Sequence, residues 1–226
     1  MPSDAAAGAG APTFGEMLAA GGLLDDTSVV TRQIIAGASE AVAEHARTHL
    51  KVVSCDACTA TKACCYLKTR AYLHEAAPIV ARLRREGRDT PELRQTLKQA
   101  AHDMETVAKA RHQRPCVFLG ADERCTIYED RPSACGTHFV SSPATECAGR
   151  TGNVTALCST AHEQMPAQVE EQFVLRAGLR RLDRHYSGAL PRMVLICLEA
   201  WDRRDYVTFL AERCLPAAHR FAQITR

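Results

Sequence analysis

The chain has no long block of like charge and no apolar segment long enough to cross a bilayer. Its 28 basic and 26 acidic residues are mixed along 226 positions and leave a formal charge of +2, so a nucleic-acid interface receives no electrostatic support. The longest purely apolar run, Met193 to Leu198, falls far short of the roughly 20 residues that a membrane span needs. No basic start and apolar core open the chain. Asp4 precedes an Ala/Gly-rich stretch, and Glu16, Asp25 and Asp26 break up the residues after it, which is not the pattern of a signal peptide. A cytoplasmic location is therefore expected, with neither nucleic acid nor membrane as partner. Glycine patterns of the Rossmann and P-loop kinds, a Gly-x-Ser-x-Gly elbow and a His-Glu-x-x-His helix motif are also missing, so no nucleotide cofactor is indicated by motif. No repeat of fixed period occurs, which argues against a solenoid.

What the sequence does have is helical periodicity. A chain of this length favours one main domain. Residues 1–22 read as a mobile Ala/Gly-rich tail with a short helix around Phe14 to Leu18. Asp26 or Thr27 can cap a helix whose stripe is Val30, Ile34, Ile35, Ala38, Val42 and Ala46, running to about Leu50. Helical continuation is expected over Tyr66 to Leu73, and Pro78 is expected to open a further stretch that Gly87 ends. Thr90, Pro91 and Glu92 make a complete start signal for a helix carrying Leu93, Leu97, Ala100, Met104, Val107 and Ala108, which should stop before Pro115. These two segments read as an antiparallel pair.

Residues 116–119 and 124–128 alternate around the polar turn Gly120 to Glu123 and predict two short strands, the one sheet of the chain. Further on, Pro166 and Pro191 should open helices carrying Phe173 and Leu179, and Val194 and Leu198; Asp205 to Cys214 makes a third. The fold class expected is mostly α, a helical domain with one small β-hairpin, organised around a cysteine metal cluster. Residues 23–152 would form that domain, with a helical insertion over 66–114, and 153–226 a C-terminal helical segment on the same core.

Eleven cysteines in a cytosolic chain point to metal or redox chemistry, because cytosolic reductants keep thiols free. Eight of them cluster as Cys55-x2-Cys58-x5-Cys64-Cys65 and Cys116-x8-Cys125-x9-Cys135-x11-Cys147. The two-residue gap between Cys55 and Cys58 lets both thiolates turn onto one ion, as tetrahedral zinc and iron-sulfur clusters require. Neighbouring Cys64 and Cys65 point apart on either a helix or a strand, so each serves a separate metal, or one ligates while the other packs or does redox chemistry. Four thiolates leave a net charge of −2 around Zn²⁺ or an oxidised [4Fe-4S] core. Lys62, Arg114, Arg124 and Arg131 are candidates to offset it. Zinc and iron are not separable by sequence, since both accept four thiolates.

The remaining candidates read more plainly. Cys197 and Cys214 lie on apolar helical faces and suit burial as small hydrophobes. Cys158 is balanced between packing and ligation. His138 and His162 lie near enough to complete a mixed site, though a structural histidine is the commoner case. Arg131 and Tyr128 could instead make an ordinary structural contact.

The run Pro115-Cys116-Val117-Phe118-Leu119, then Arg124-Cys125-Thr126-Ile127-Tyr128-Glu129-Asp130-Arg131-Pro132 with Cys135, downstream of Cys55-x2-Cys58-x5-Cys64-Cys65, resembles the YkgJ-type cysteine-cluster family, a zinc- or iron-chelating domain. The resemblance covers residues 55 to 147. It implies a metal ligand set of Cys55, Cys58, Cys64, Cys65, Cys116, Cys125, Cys135 and Cys147, with zinc, iron or a [4Fe-4S] cluster as cofactor and the centre structural or used in metal handling. Two departures stand out: the gap before the Cys-Cys pair is longer than usual, and Gly136 replaces an arginine that is common after the third downstream cysteine. Flagellin lysine methylases share a similar cluster, which raises an alternative: an iron-sulfur redox enzyme or methyltransferase. Whether the chain is an enzyme, and what protein partner it has, the residues do not decide.

Overall fold

The computed structural model describes residues 10–49, 51, 53, 63–108, 112–142, 156–182 and 185–224. Inside the stretch expected to be a mobile tail, the Thr13 hydroxyl accepts the Glu16 amide and the Glu16 carboxylate accepts the Thr13 amide, at 3.3 and 2.7 Å. This reciprocal cap starts α1 (Phe14–Ala20). Phe14 and Leu18 are fully buried and join the main core. Burial of two large apolar side chains one turn apart outweighs the small residues around them.

Helix α2 (Leu23–Thr48) starts earlier than expected, from Gly22 in the left-handed conformation. Thr27, expected at the cap, is buried and donates its hydroxyl to the Leu23 carbonyl at 2.7 Å. Most of the stripe forms, with Ile34, Ala38, Val42 and Ala46 buried, whereas Val30 and Ile35 are only half-buried. After Cys65 the helical expectation fails: Ala63–Tyr66 make a 3₁₀ turn and Arg70–Tyr72 are strand β1. Helix α3 (Leu73–Arg85) then begins well before Pro78, which lies inside it. The start is set by Glu75, whose carboxylate accepts the Tyr72 amide at 2.9 Å and so satisfies a first-turn donor. Burial of Ile79, Val80 and Leu83 offsets the bond that proline removes.

Helix α4 (Pro91–Thr106) starts where Thr90, Pro91 and Glu92 place it, with the Thr90 hydroxyl accepting the Leu93 amide at 3.2 Å. The remaining elements are α5 (Ser133–Gly136), β2 (Phe139–Val140), β3 (Ala156–Leu157), α6 (Thr160–Arg176), β4 (Ser187–Ala189), α7 (Leu190–Ala200) and α8 (Tyr206–Ile224). Pro166 lies inside α6 instead of opening it, whereas Pro191 does sit in the first turn of α7.

Helix α7 is apolar nearly all round and buried from Leu190 to Leu198 except Arg192, as expected of a helix at the centre of a bundle. Helices α3 and α4 both pack chiefly on it and not, as the expected pairing implied, on each other. Arg192 of α7 forks onto Glu105 of α4 with two bonds of 2.8 Å. Strands β1 and β4 pair antiparallel with Ala71 opposite Gly188, and each runs straight into α3 or α7. The Leu73 amide on the Tyr186 carbonyl and the Leu190 amide on the Thr69 carbonyl, both 2.8 Å, close this clasp.

The expected hairpin is reduced to one isolated bridge between Leu119 and Cys125. The chain does reverse there, with the Gly120 amide on Arg124 and the Thr126 amide on Phe118 at 2.8 Å. The Leu119 amide, however, turns back to the Cys116 carbonyl at 3.0 Å, which bends the first segment off a ladder. Tyr128–Asp130 then form a 3₁₀ turn. The small strands are elsewhere, in β1–β4 and in β2–β3, where Phe139 faces Leu157. That second pair packs on Ala38 and Val42 of α2 as a separate small core. No described helix is long and apolar enough to cross a membrane.

Candidate metal centre

Cys55, Cys58 and Cys147, and with them Lys62, lie outside the described residues. The other five cysteines of the expected set come from three segments. Cys64 and Cys65 sit in the 3₁₀ turn before β1, Cys116 and Cys125 flank the reversal, and Cys135 is on α5. The Cys116 amide donates to the Cys65 carbonyl at 2.7 Å, joining the first two segments directly. Cys64 is exposed and the other four are partly buried.

Their acidities report that they share one neighbourhood. The Cys65 thiol hydrogen-bonds Cys64 and, with help from Arg131, holds its pKa down at about 6 against the cost of burial. Cys65 is pushed up by that same hydrogen bond, by burial, and by the charges of Cys64, Cys116 and Cys125. Burial pushes Cys116 up to about 11, with Cys125 and Cys64 adding to it. Cys125 is raised by burial and opposed by Arg131 and Arg82. Burial raises Cys135 as well, and Cys116, Cys125 and Glu75 add their repulsion while a hydrogen bond with Thr69 works the other way. Four of these five thiols are held from ionising by burial and by neighbouring thiols; such a donor set is one that a cation relieves, and soft thiolates suit zinc and iron. Among the described residues, no group of three or more His, Cys, Asp or Glu is arranged to hold a metal ion. The closed cluster expected from the sequence is thus not present there, and what the fold supplies is the convergence of the thiols.

Of the basic residues expected to offset thiolate charge, Arg131 is in place: it acts on Cys64 and Cys125 while stacking over the Tyr128 ring at 4.1 Å. Arg114 is paired with Asp103, and Arg124 is exposed. Arg82, which sequence reasoning missed, also acts on Cys125 and bonds Asp130 at 3.4 Å. Its helical position on α3 gave no sign of this. Lys68 anchors the Cys64–Cys65 segment by donating to the Met104 carbonyl at 2.7 Å and to the Val107 carbonyl, at the C-terminal end of α4 where a cation is favoured.

The turn that carries Cys135 is fixed by two contacts that sequence reasoning also missed. Glu75, 3 % exposed, accepts the Ser133 amide at 2.8 Å and the Ser133 hydroxyl at 2.6 Å. Gly136 lies so close to α2 that a Cβ there would meet Ile35 at 2.5 Å. The absence of a side chain at Gly136 therefore lets α5 close against α2. Among the other candidates, Cys197 and Cys214 are fully buried, Cys158 is exposed, and His138 is exposed with a partner of its own. His162 takes part in the α2–α6 crossing: its Nδ1 bonds the Ser159 hydroxyl at 2.7 Å and its ring covers Gly37, where a Cβ would meet Nε2 at 2.7 Å.

The model of the CxxCxxCC family, described as "Putative zinc- or iron-chelating domain", matches residues 54–169, just over half of the chain. The chain belongs to the CxxCxxCC family. The matched span takes in all eight candidate cysteines together with Glu75 and Ser133, and the family description supports metal binding in general terms. Comparison with curated proteins and with solved structures gives no match.

Proposed function

We propose that this CxxCxxCC protein chelates zinc or iron through Cys55, Cys58, Cys64, Cys65, Cys116, Cys125, Cys135 and Cys147, in a centre that holds its loops together or hands metal on, inside the cytoplasm. The observation that carries the reading is the convergence of Cys64 and Cys65, Cys116 and Cys125, and Cys135 from three separate segments onto one neighbourhood. A bound ion would supply the positive charge that lets these thiols ionise together, and Arg131 and Arg82 would share the excess negative charge. The centre would also cross-link the three segments that carry these thiols, so metal binding and stability are coupled.

Anaerobic purification, then elemental analysis and a visible spectrum, tests the proposal. Zinc or iron is expected on every chain; colour with acid-labile sulfide identifies iron-sulfur, and colourless zinc a tetrahedral thiolate site. Cys58→Ala and Cys125→Ala are each expected to lower metal content and thermal stability together. Full stoichiometry in both variants removes those two ligand assignments, and a folded wild type empty of both metals removes the reading.

A further inference from the structure

Glu75 does more than a helix-capping acid requires. One oxygen suffices for the cap, and Oε2 supplies it by accepting the Tyr72 amide at 2.9 Å. Oε1 is turned the other way and takes both donors of Ser133, at 2.8 and 2.6 Å. Ser133 opens the single turn of α5 in which the Cys135 amide bonds the Pro132 carbonyl at 2.9 Å. Tyr72 ends β1, the strand into which the Cys64–Cys65 turn leads. A single buried carboxylate thus joins the backbone on the far side of β1 from Cys64 and Cys65 to the backbone that presents Cys135.

Charge balance does not account for it there. The carboxylate lies close enough to disfavour a Cys135 thiolate, and among the described residues three N–H and O–H donors, not an ion pair, compensate its charge. A buried carboxylate beside a set of thiols is costly unless its bonds are all made, and they are made to two backbone amides and one hydroxyl, at Tyr72 and Ser133.

We infer that Glu75 is a positioning residue of the metal centre, fixing the Cys135 turn relative to the Cys64–Cys65 segment so that thiols from both reach the same ion. The inference rests on the ligand reading above. Groups that orient metal ligands from behind typically change metal affinity by roughly 10- to 100-fold when removed.

The test compares metal retention in anaerobically purified wild type, Glu75→Ala, Glu75→Gln and Leu210→Ala, the last a fully buried residue of α8 that serves as a stability control. Zinc plus iron per chain is measured first, then the rate of metal loss to excess EDTA. Glu75→Ala is expected to lose metal about tenfold faster than wild type, and Leu210→Ala, even where it melts lower, at the wild-type rate. Glu75→Gln keeps one oxygen acceptor for Ser133 but sets an amide donor against the Tyr72 N–H, so it should fall between. Equal loss rates in wild type and Glu75→Ala overturn the inference and leave the ligand reading standing. Equally fast loss from Leu210→Ala and Glu75→Ala also overturns it, since general destabilisation then accounts for both. A metal-free wild type overturns the ligand reading itself, and the inference with it.

Discussion

Around α7 the side chains are apolar and buried almost without interruption, whereas the segments carrying Cys64, Cys65, Cys125 and Cys135 join the rest of the chain through a few apolar anchors, Phe118 and Ile127, and a handful of polar contacts: Lys68 on α4, Glu75 on Ser133, Arg82 on Asp130. Burying each large apolar side chain is worth about 1.5–3 kcal/mol, and α7 alone buries Leu190, Met193, Val194, Leu195, Ile196 and Leu198. A hydrogen bond to a charged group is worth about 1.5–3 kcal/mol net, and the cysteine segments make few of them. The bundle holds itself together, and the cysteine segments depend on the bundle and on whatever their thiols bind.

The sharpest way to break that contrast is to strike the polar pair inside the apolar core. His74 of α3 and Glu170 of α6 are both fully buried, with Nδ1 and Oε2 2.5 Å apart and a second bond of 3.1 Å from the His74 amide. Among the described residues, Nε2 of His74 and Oε1 of Glu170 have no hydrogen-bond partner. Glu170→Leu strands the histidine and is expected to cost about 3–5 kcal/mol in urea denaturation. A cost near zero would mean that the core does not rely on the pair.

Next in size, Met193→Ala should cost about 2–5 kcal/mol through the cavity it leaves, yet folded molecules should keep their full metal content by elemental analysis. Loss of metal in proportion to stability would show that core and centre are one cooperative unit.

The pair also gives a pH dependence. Burial lowers the His74 pKa, but the hydrogen bond and charge of Glu170, with Glu75 behind it, outweigh this and leave it raised. A raised folded-state value means that the pair's contribution is complete below the unfolded-state pKa of about 6.5 and is lost as pH rises through the folded-state value. The stability gap between wild type and a His74→Leu/Glu170→Leu double variant should therefore move against the wild type as pH climbs above neutrality. A gap constant from pH 6 to 9, about the range that brackets imidazole titration, would show that the histidine stays in one charge state. The smallest effect expected is at the α4 start, where Thr90→Ala should cost about 1 kcal/mol and leave metal retention untouched.

Signals that act within a few residues were legible in the sequence. Thr90, Pro91 and Glu92 start α4 because the cap and the proline do their work within one turn, and the α2 stripe needs only its own spacing. Pro78 and Pro166 misled, because a proline opens a helix only if no stronger start precedes it, and for α3 that start is the Tyr72–Glu75 bond. The β1–β4 clasp joins residues more than half the chain apart, and neither Arg70–Tyr72 nor Ser187–Ala189 alternates in a way that announces it. For the centre, the thiols announced themselves by number and spacing, and Arg131 by nearness. Glu75 and Arg82 did not, because their relation to Cys135 and Cys125 is created by packing α3 beside the reversal.

That clasp carries a consequence for how the protein is made. A polypeptide leaves the ribosome from its N-terminus, so β1 and every thiol up to Cys158 emerge before the strand that completes their scaffold has been synthesised. Until Ser187–Ala189 arrive, β1 has no strand to pair with, so on the proposed ligand reading the finished site would form late in translation or after it.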